Sequence, residues 1–107
     1  MRAASAAPVF AALGDDTRLA IVARLSARGP QSITELADAA PVTRQAVRKH
    51  LRALEEAGLA AGRRVGREHI WELRRTGLAD AQRYLDEISA QWDAAIERLR
   101  RMVEEEA

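Results

Sequence analysis

Between Ser32 and Gly58 the apolar positions fall into two short helical stripes separated by a polar turn, and the rest of the chain is arranged around them. Ile33, Leu36, Ala37 and Ala40 recur at helical spacing, so that one side faces inward while Glu35 and Asp38 face water. Pro41 disfavours helical geometry at Ala40, the residue before it, and Thr43 offers a hydroxyl to the free amides of a second helix beginning at Arg44. There Val47, Leu51 and Leu54 form a thin apolar face, and Gly58 suits the left-handed conformation that closes a helix.

Residues 1–7 are small and featureless and are expected to be loose. From Pro8, the apolar residues Val9, Phe10 and Leu13, then Leu19, Ile21, Val22 and Leu25, predict two helices. Gly14 with Asp15 or Asp16 marks the break between them, and Asp16 is placed to accept amide hydrogen bonds at the second start. Gly29 and Pro30 end this unit, so residues 8–31 are read as N-terminal helices and 32–58 as the helical pair. Residues 59–74 alternate loosely and predict a hairpin whose tip is Val65, Gly66 and Arg67.

The C-terminal segment has the longest pattern. Leu78, Ala81, Leu85, Ile88, Trp92, Ala95, Leu99 and Met102 alternate in steps of three and four, with Ile96 and Val103 widening the stripe. A helix over 77–105 is longer than a core this small can cover, so part of its apolar face must find another surface. A second copy of the chain is the nearest candidate, and a two-fold dimer would present two copies of the 43–57 helix to one duplex.

Charge changes the picture where it is unevenly spread. The net charge is only +1, yet residues 41–67 carry seven basic and two acidic side chains, whereas residues 78–107 carry four and eight. Arg44, Gln45, Arg48, Lys49 and Arg52 project from the outer face of the second helix, a comb able to reach base edges at its front and phosphates further back. Arg63, Arg64 and Arg67 crowd the hairpin tip, which can lie along a phosphate backbone or dip into a minor groove beside that helix. Taken singly, each surface also suits a solvated helix face or a charged edge hairpin; their adjacency points to DNA.

Composition bounds the remainder. A chain of 107 residues that is 48% hydrophobic and 31% charged is expected to be one small domain whose marginal core would gain from a partner subunit. It contains no cysteine, so sulfur ligation of a metal and disulfides are excluded. No apolar run approaches the length of a membrane span and no secretion signal is evident, so the expected location is the cytosol. No glycine-rich phosphate loop, nucleophile with a histidine partner or evident pair of catalytic carboxylates appears, so an enzyme is not expected. His50 is expected at the rim of the second helix or on a phosphate, and His69 in a strand near Trp71; two lone histidines fall short of a zinc site.

Three stretches, ALGDDTRLAIVARL, ITELADAAPVTRQAVRKHLRALEEAGL and GRRVGREHIWEL, together resemble the winged helix-turn-helix repressors of the ArsR (arsenic repressor) family over nearly the whole chain. The resemblance implies a mainly α fold with a small β-hairpin and a long C-terminal dimerisation helix. Residues 32–40 would be the positioning helix, 43–57 the recognition helix and 62–70 the wing. It further implies a bacterial transcription regulator, a repressor acting as a homodimer on a palindromic operator in double-stranded DNA. The implied DNA-binding residues are Thr43, Arg44, Gln45, Arg48, Lys49, Arg52, Arg63, Arg64 and Arg67. Dimer contacts from the first and last helices would involve Val9, Phe10 and Leu13 with Leu85, Ile88, Trp92, Ile96 and Leu99.

One metal site of the family uses paired cysteines after the Glu-Leu of the positioning helix, but here Glu35 and Leu36 are followed by Ala37 and then Ala39. Another uses acids and histidines on the terminal helix, and no histidine lies beyond His69. The resemblance is therefore to a branch without metal-sensing ligands, with no cofactor expected and any small-molecule effector unknown. The rival reading is a winged helix that serves as a protein-interaction or RNA-binding module without operator specificity.

Overall fold

The computed structural model describes residues 3–106. Helices α1 (Ala3–Leu13) and α2 (Asp16–Arg28) lead into a two-residue strand β1 (Gln31–Ser32), followed by α3 (Ile33–Asp38) and α4 (Arg44–Glu56). A hairpin of β2 (Ala60–Val65) and β3 (Glu68–Leu73) follows, and α5 (Arg75–Glu106) ends the chain. The three strands form one antiparallel sheet in the order β1-β3-β2, with Gln31 opposite Trp71 and Gly62 opposite the same tryptophan on the other side. The fold is thus mainly helical, a helix-turn-helix with a wing and a long C-terminal helix.

Capping side chains and glycines set the element ends. Asp15, not Asp16, caps α2: its carboxylate accepts from the Arg18 amide at 3.0 Å, and Asp16 is already the first helical residue. One residue of offset decides this, because the cap must keep extended backbone while its side chain turns back over the first turn. Ser32 and Glu35 close a capping box on α3, each side chain accepting from the other's amide at 3.1 Å. Thr43 Oγ1 accepts from the Ala46 amide at 3.1 Å and starts α4 as the sequence predicts. At its other end Gly58 takes a φ of 78°, and the amides of Gly58 and Leu59 return to the carbonyls of Glu55 and Leu54. That pair of bonds is the Schellman closure, and the accompanying contact is apolar because Leu54 and Leu59 are both fully buried.

Four boundaries differ from expectation. Helix α1 starts at Ala3 rather than near Pro8, with Ala6 buried, so the loose segment expected over 1–7 is helical from residue 3; residues 1 and 2 lie outside the described residues. The positioning helix spans Ile33–Asp38 instead of 32–40, because Ser32 is spent as cap and strand residue and the chain turns through Ala39–Pro41. Strand β1 adds a third strand to the expected hairpin. Helix α5 begins at Arg75, two residues early, directly after the Arg74 amide bonds the Leu59 carbonyl.

The core gathers Ile21 and Leu25 of α2, Ile33 and Leu36 of α3, Val47, Leu51 and Leu54 of α4, Leu59, and Trp71 of β3. Val9 and Ala12 of α1 and Ala81 of α5 close it on one side. At 1.5 Å per residue the 32 residues of α5 reach about 48 Å, and the molecule measures 70 × 25 × 21 Å. Only the first turns of α5 meet α1, where the Phe10 and Tyr84 rings lie 6.0 Å apart. Beyond them Leu85, Trp92, Ile96, Leu99, Met102 and Val103 are exposed. No described helix is long and apolar enough to cross a membrane.

Candidate nucleic-acid interface

Helix α4 is held from beneath by Val47, Leu51 and Leu54, which leaves its outer face to Arg44, Gln45, Arg48, Lys49 and Arg52, all exposed. A lateral anchor comes from His50, half-buried on the side toward α1 and α2. Its Nδ1 lies 3.5 Å from Arg18 Nη1 and 3.8 Å from Asp15 Oδ2. Arg18 also donates through Nε to the Ala12 carbonyl at 2.7 Å, so one guanidinium joins the end of α1 to the middle of α4. The amide of Arg18 donating to Asp15 holds that carboxyl below its ordinary value, and the Arg18 and His50 charges beside it act in the same direction. His50 is therefore at the inner rim of the helix, one of the two places expected for it.

The hairpin stands beside α4 and turns part of its basic tip toward it. Val65 and Glu68 are joined by Gly66 and Arg67, with a φ of 63° at Gly66 and no positive φ at Arg67, the pattern of a type II′ turn. Strand register sorts the arginines: Arg64 lies opposite His69 and Arg63 opposite Ile70. Arg64 therefore shares a face with His69 and Trp71, while Arg63 belongs to the other face. Sequence reasoning groups the three together; the structure brings Arg64 and Arg67 to α4 and leaves Arg63 outside that group.

Between α4 and the hairpin runs a cleft of about 540 Å³. Arg44, Arg48 and Arg52 line it from the helix and Arg64 and Arg67 from the hairpin, with Ser32, Ile33, Thr34, His69 and Trp71 completing it and Glu68 as the one lining acid. A second groove on the far side of α4 is lined by Thr43, Gln45 and Lys49, with Arg48 and Arg52 bordering both. None of the seven cations on α4 and the hairpin has an ion-pair or side-chain hydrogen-bond partner among the described residues. Their charge is directed at solvent, which is how a surface that takes up a polyanion must stand before it binds.

Trp71 and Gly62 set the hairpin's base and are not singled out by sequence reasoning. Trp71 is 2% exposed and lies over Gly62, where an added Cβ would come within 2.9 Å of the indole and 2.6 Å of His69 Nε2. A glycine in mid-strand is the signal that could have revealed this close approach. The indole Nε1 has no hydrogen-bond partner among the described residues. Of the residues expected at a dimer contact, Val9 is only 4% exposed and belongs to the core of its own chain, whereas Phe10, Leu13 and Ile88 are half-buried. Leu85, Trp92, Ile96 and Leu99 are exposed. Among the described residues no three His, Cys, Asp or Glu side chains converge as metal ligands would.

Residues 13–63 match the model of a helix-turn-helix domain family. The HTH-type transcriptional regulator Rv2034 of Mycobacterium tuberculosis is 40% identical over 95 residues, spanning 89% of this chain and 85% of that protein. An uncharacterised HTH-type transcriptional regulator of Bacillus subtilis, YuzN, is 40% identical over 68 residues, 58% of this chain and 74% of its own. Among solved structures, an ArsR-like transcriptional regulator from Rhodococcus sp. RHA1 superposes with a TM-score of 0.81 at 40% identity, covering 92% of each chain.

Proposed function

Because the chain belongs to the ArsR-like winged helix-turn-helix transcriptional regulators, we propose that it is a repressor that binds a palindromic operator in double-stranded DNA as a homodimer. The observation that carries this reading is the unpaired basic surface shared by α4 and the hairpin. Arg48 and Gln45, near the front of α4, are assigned to base edges in the major groove, where arginine suits guanine and glutamine suits adenine. Thr43, Arg44, Lys49, Arg52, Arg63, Arg64 and Arg67 are assigned to phosphates, which fix register and supply most of the affinity.

The homodimer is supported by the outward apolar stripe of α5, with Phe10 and Leu13 beside its root. Two copies related by a two-fold axis match the symmetry of two half-sites. Ala37, Ala39 and the lack of histidine after His69 support the reading of a branch without metal-sensing ligands, and the proposed site of action is the cytosol, where an operator would lie. Selection of bound sites from random duplexes tests the proposal. Enrichment of a palindrome, with affinity that falls steeply with salt, is the expected result. Recovery of no sequence motif, or preference for RNA, would overturn it.

A further inference from the structure

We propose that the cleft between α4 and the hairpin is also a site for a free, multiply charged phosphate anion, and that such an anion excludes the operator. The inference rests on the DNA-binding reading only for its consequence, since the site itself is a property of the single chain. Five guanidiniums from two separate elements line the cleft against the single carboxylate of Glu68. Like charges gathered in this way repel one another until an anion enters, and none of the five has a partner of its own among the described residues.

Geometry distinguishes this cleft from an ordinary basic face. A helix side alone offers cations along a line, as the outer groove of α4 does with Lys49, Arg48 and Arg52. Here Arg44, Arg48 and Arg52 are met by Arg64 and Arg67 from another element, so the cations face one another across the cleft. Each guanidinium presents a planar fork of N–H donors that matches phosphoryl oxygens two at a time. Thr34 adds a hydroxyl to the lining. Four uncompensated positive charges call for a compact anion of similar charge, which a short polyphosphate chain supplies whether it is inorganic or the tail of a nucleoside triphosphate. A duplex phosphate strand and such an anion need the same guanidiniums, so the two are mutually exclusive.

The test titrates the full chain with tripolyphosphate and with ATP, using sulfate at matched ionic strength as the screening control. Without DNA, tripolyphosphate is expected to raise the melting temperature along a saturating curve, as a ligand of the folded state does. With operator present, the apparent Kd is expected to rise in direct proportion to added tripolyphosphate above its own dissociation constant. Arg44→Ala and Arg64→Ala should each weaken the tripolyphosphate response roughly tenfold, the loss of one or more charge-assisted bonds. Arg63→Ala, on the other face of the hairpin, should retain that response, read as the melting-temperature shift without DNA. A stronger response to ATP assigns the site to a nucleotide, and an equal one to the phosphate chain. Equal weakening of DNA binding by sulfate, or equal loss in Arg63→Ala and Arg64→Ala, overturns the site. Duplex binding that ignores tripolyphosphate defeats this inference alone, whereas saturable tripolyphosphate binding by a chain that binds no duplex defeats the operator reading and leaves the anion site standing.

Discussion

Gly77 of α5 packs so closely on Gly58, the glycine that closes α4, that a Cβ added at position 77 would lie 2.5 Å from the Gly58 carbonyl oxygen. The end of the helix assigned to DNA and the root of the helix assigned to dimerisation thus share a backbone contact. Gly58 is itself held at a φ of 78°. The obstruction at position 77 is main chain rather than a flexible side chain.

The contact predicts that Gly77→Ala destabilises the fold by about 1 to 3 kcal/mol, the usual range for forcing extra volume into a packed place, despite the better helix propensity of alanine. Denaturant unfolding of the two proteins measures it. An alanine variant as stable as the parent would show that α5 can step away from Gly58 at no cost.

Asp15 gives a pH prediction with a definite sign. Its carboxyl is held below the ordinary value of 3.8 mainly by the Arg18 amide that donates to it. The stability contributed by that charge is complete above the pH where an unfolded aspartate titrates, and is lost as pH falls through the lower folded value. Asp15→Asn retains a capping oxygen but has no charge to lose. The parent should be more stable than Asp15→Asn at pH values above about 5, and the gap should close as pH falls through and below the range in which an unfolded aspartate titrates. Urea midpoints across that interval check it, and a gap that stays constant with pH would assign the difference to geometry instead of charge.

Much of this architecture can be read from the chain because pattern and punctuation agree. Helices α2, α4 and α5 have apolar residues at helical spacing, and Thr43, Gly29 and Gly58 mark ends in the right places. Strand β1 cannot be read in this way. Gln31 and Ser32 show no alternation, and they are extended because β3 offers its free edge to them, a tertiary cause. The first turn of α1 is similarly hidden, since small residues make no stripe and alanine propensity alone favours their helical state. The basic surface is legible as composition but not as a cleft. Which hairpin arginine meets α4 depends on the pairing of Arg64 with His69, and a register shift of one residue would exchange it for Arg63.

The division between base-reading and phosphate-contacting side chains predicts different outcomes for different residues. Arg48→Ala and Gln45→Ala should flatten preference among duplexes, each good base contact contributing about 1 to 3 kcal/mol of discrimination. Arg67→Ala, at the hairpin turn, should weaken specific and random duplexes alike and reduce the slope of log affinity against log salt by roughly one. Binding isotherms for operator and scrambled duplex over a salt series separate the two classes. Uniform losses in all three variants would remove the base-reading assignment of Arg48 and Gln45.

The far half of α5 sets the remaining prediction, because it is exposed where a helix of this composition should not be. Trp92 is 66% exposed and Leu99 63% exposed in the single chain, and Leu85, Ile96 and Met102 stand out on the same helix. A tryptophan can cover on the order of 200 Å², which at about 25 cal/mol per Å² amounts to several kcal/mol before ordering costs are charged against it. Trp92→Ala should therefore shift the protein toward monomer. It should also lower affinity for a duplex with two half-sites far more than for a single half-site, since the two copies of α4 are then no longer joined. The losses must be coupled: a variant that dissociates yet keeps full affinity for the two-site duplex would separate dimerisation from DNA binding. Sedimentation of the parent at micromolar concentration comes first, and a monomer that still binds its operator tightly would remove the dimer from the mechanism.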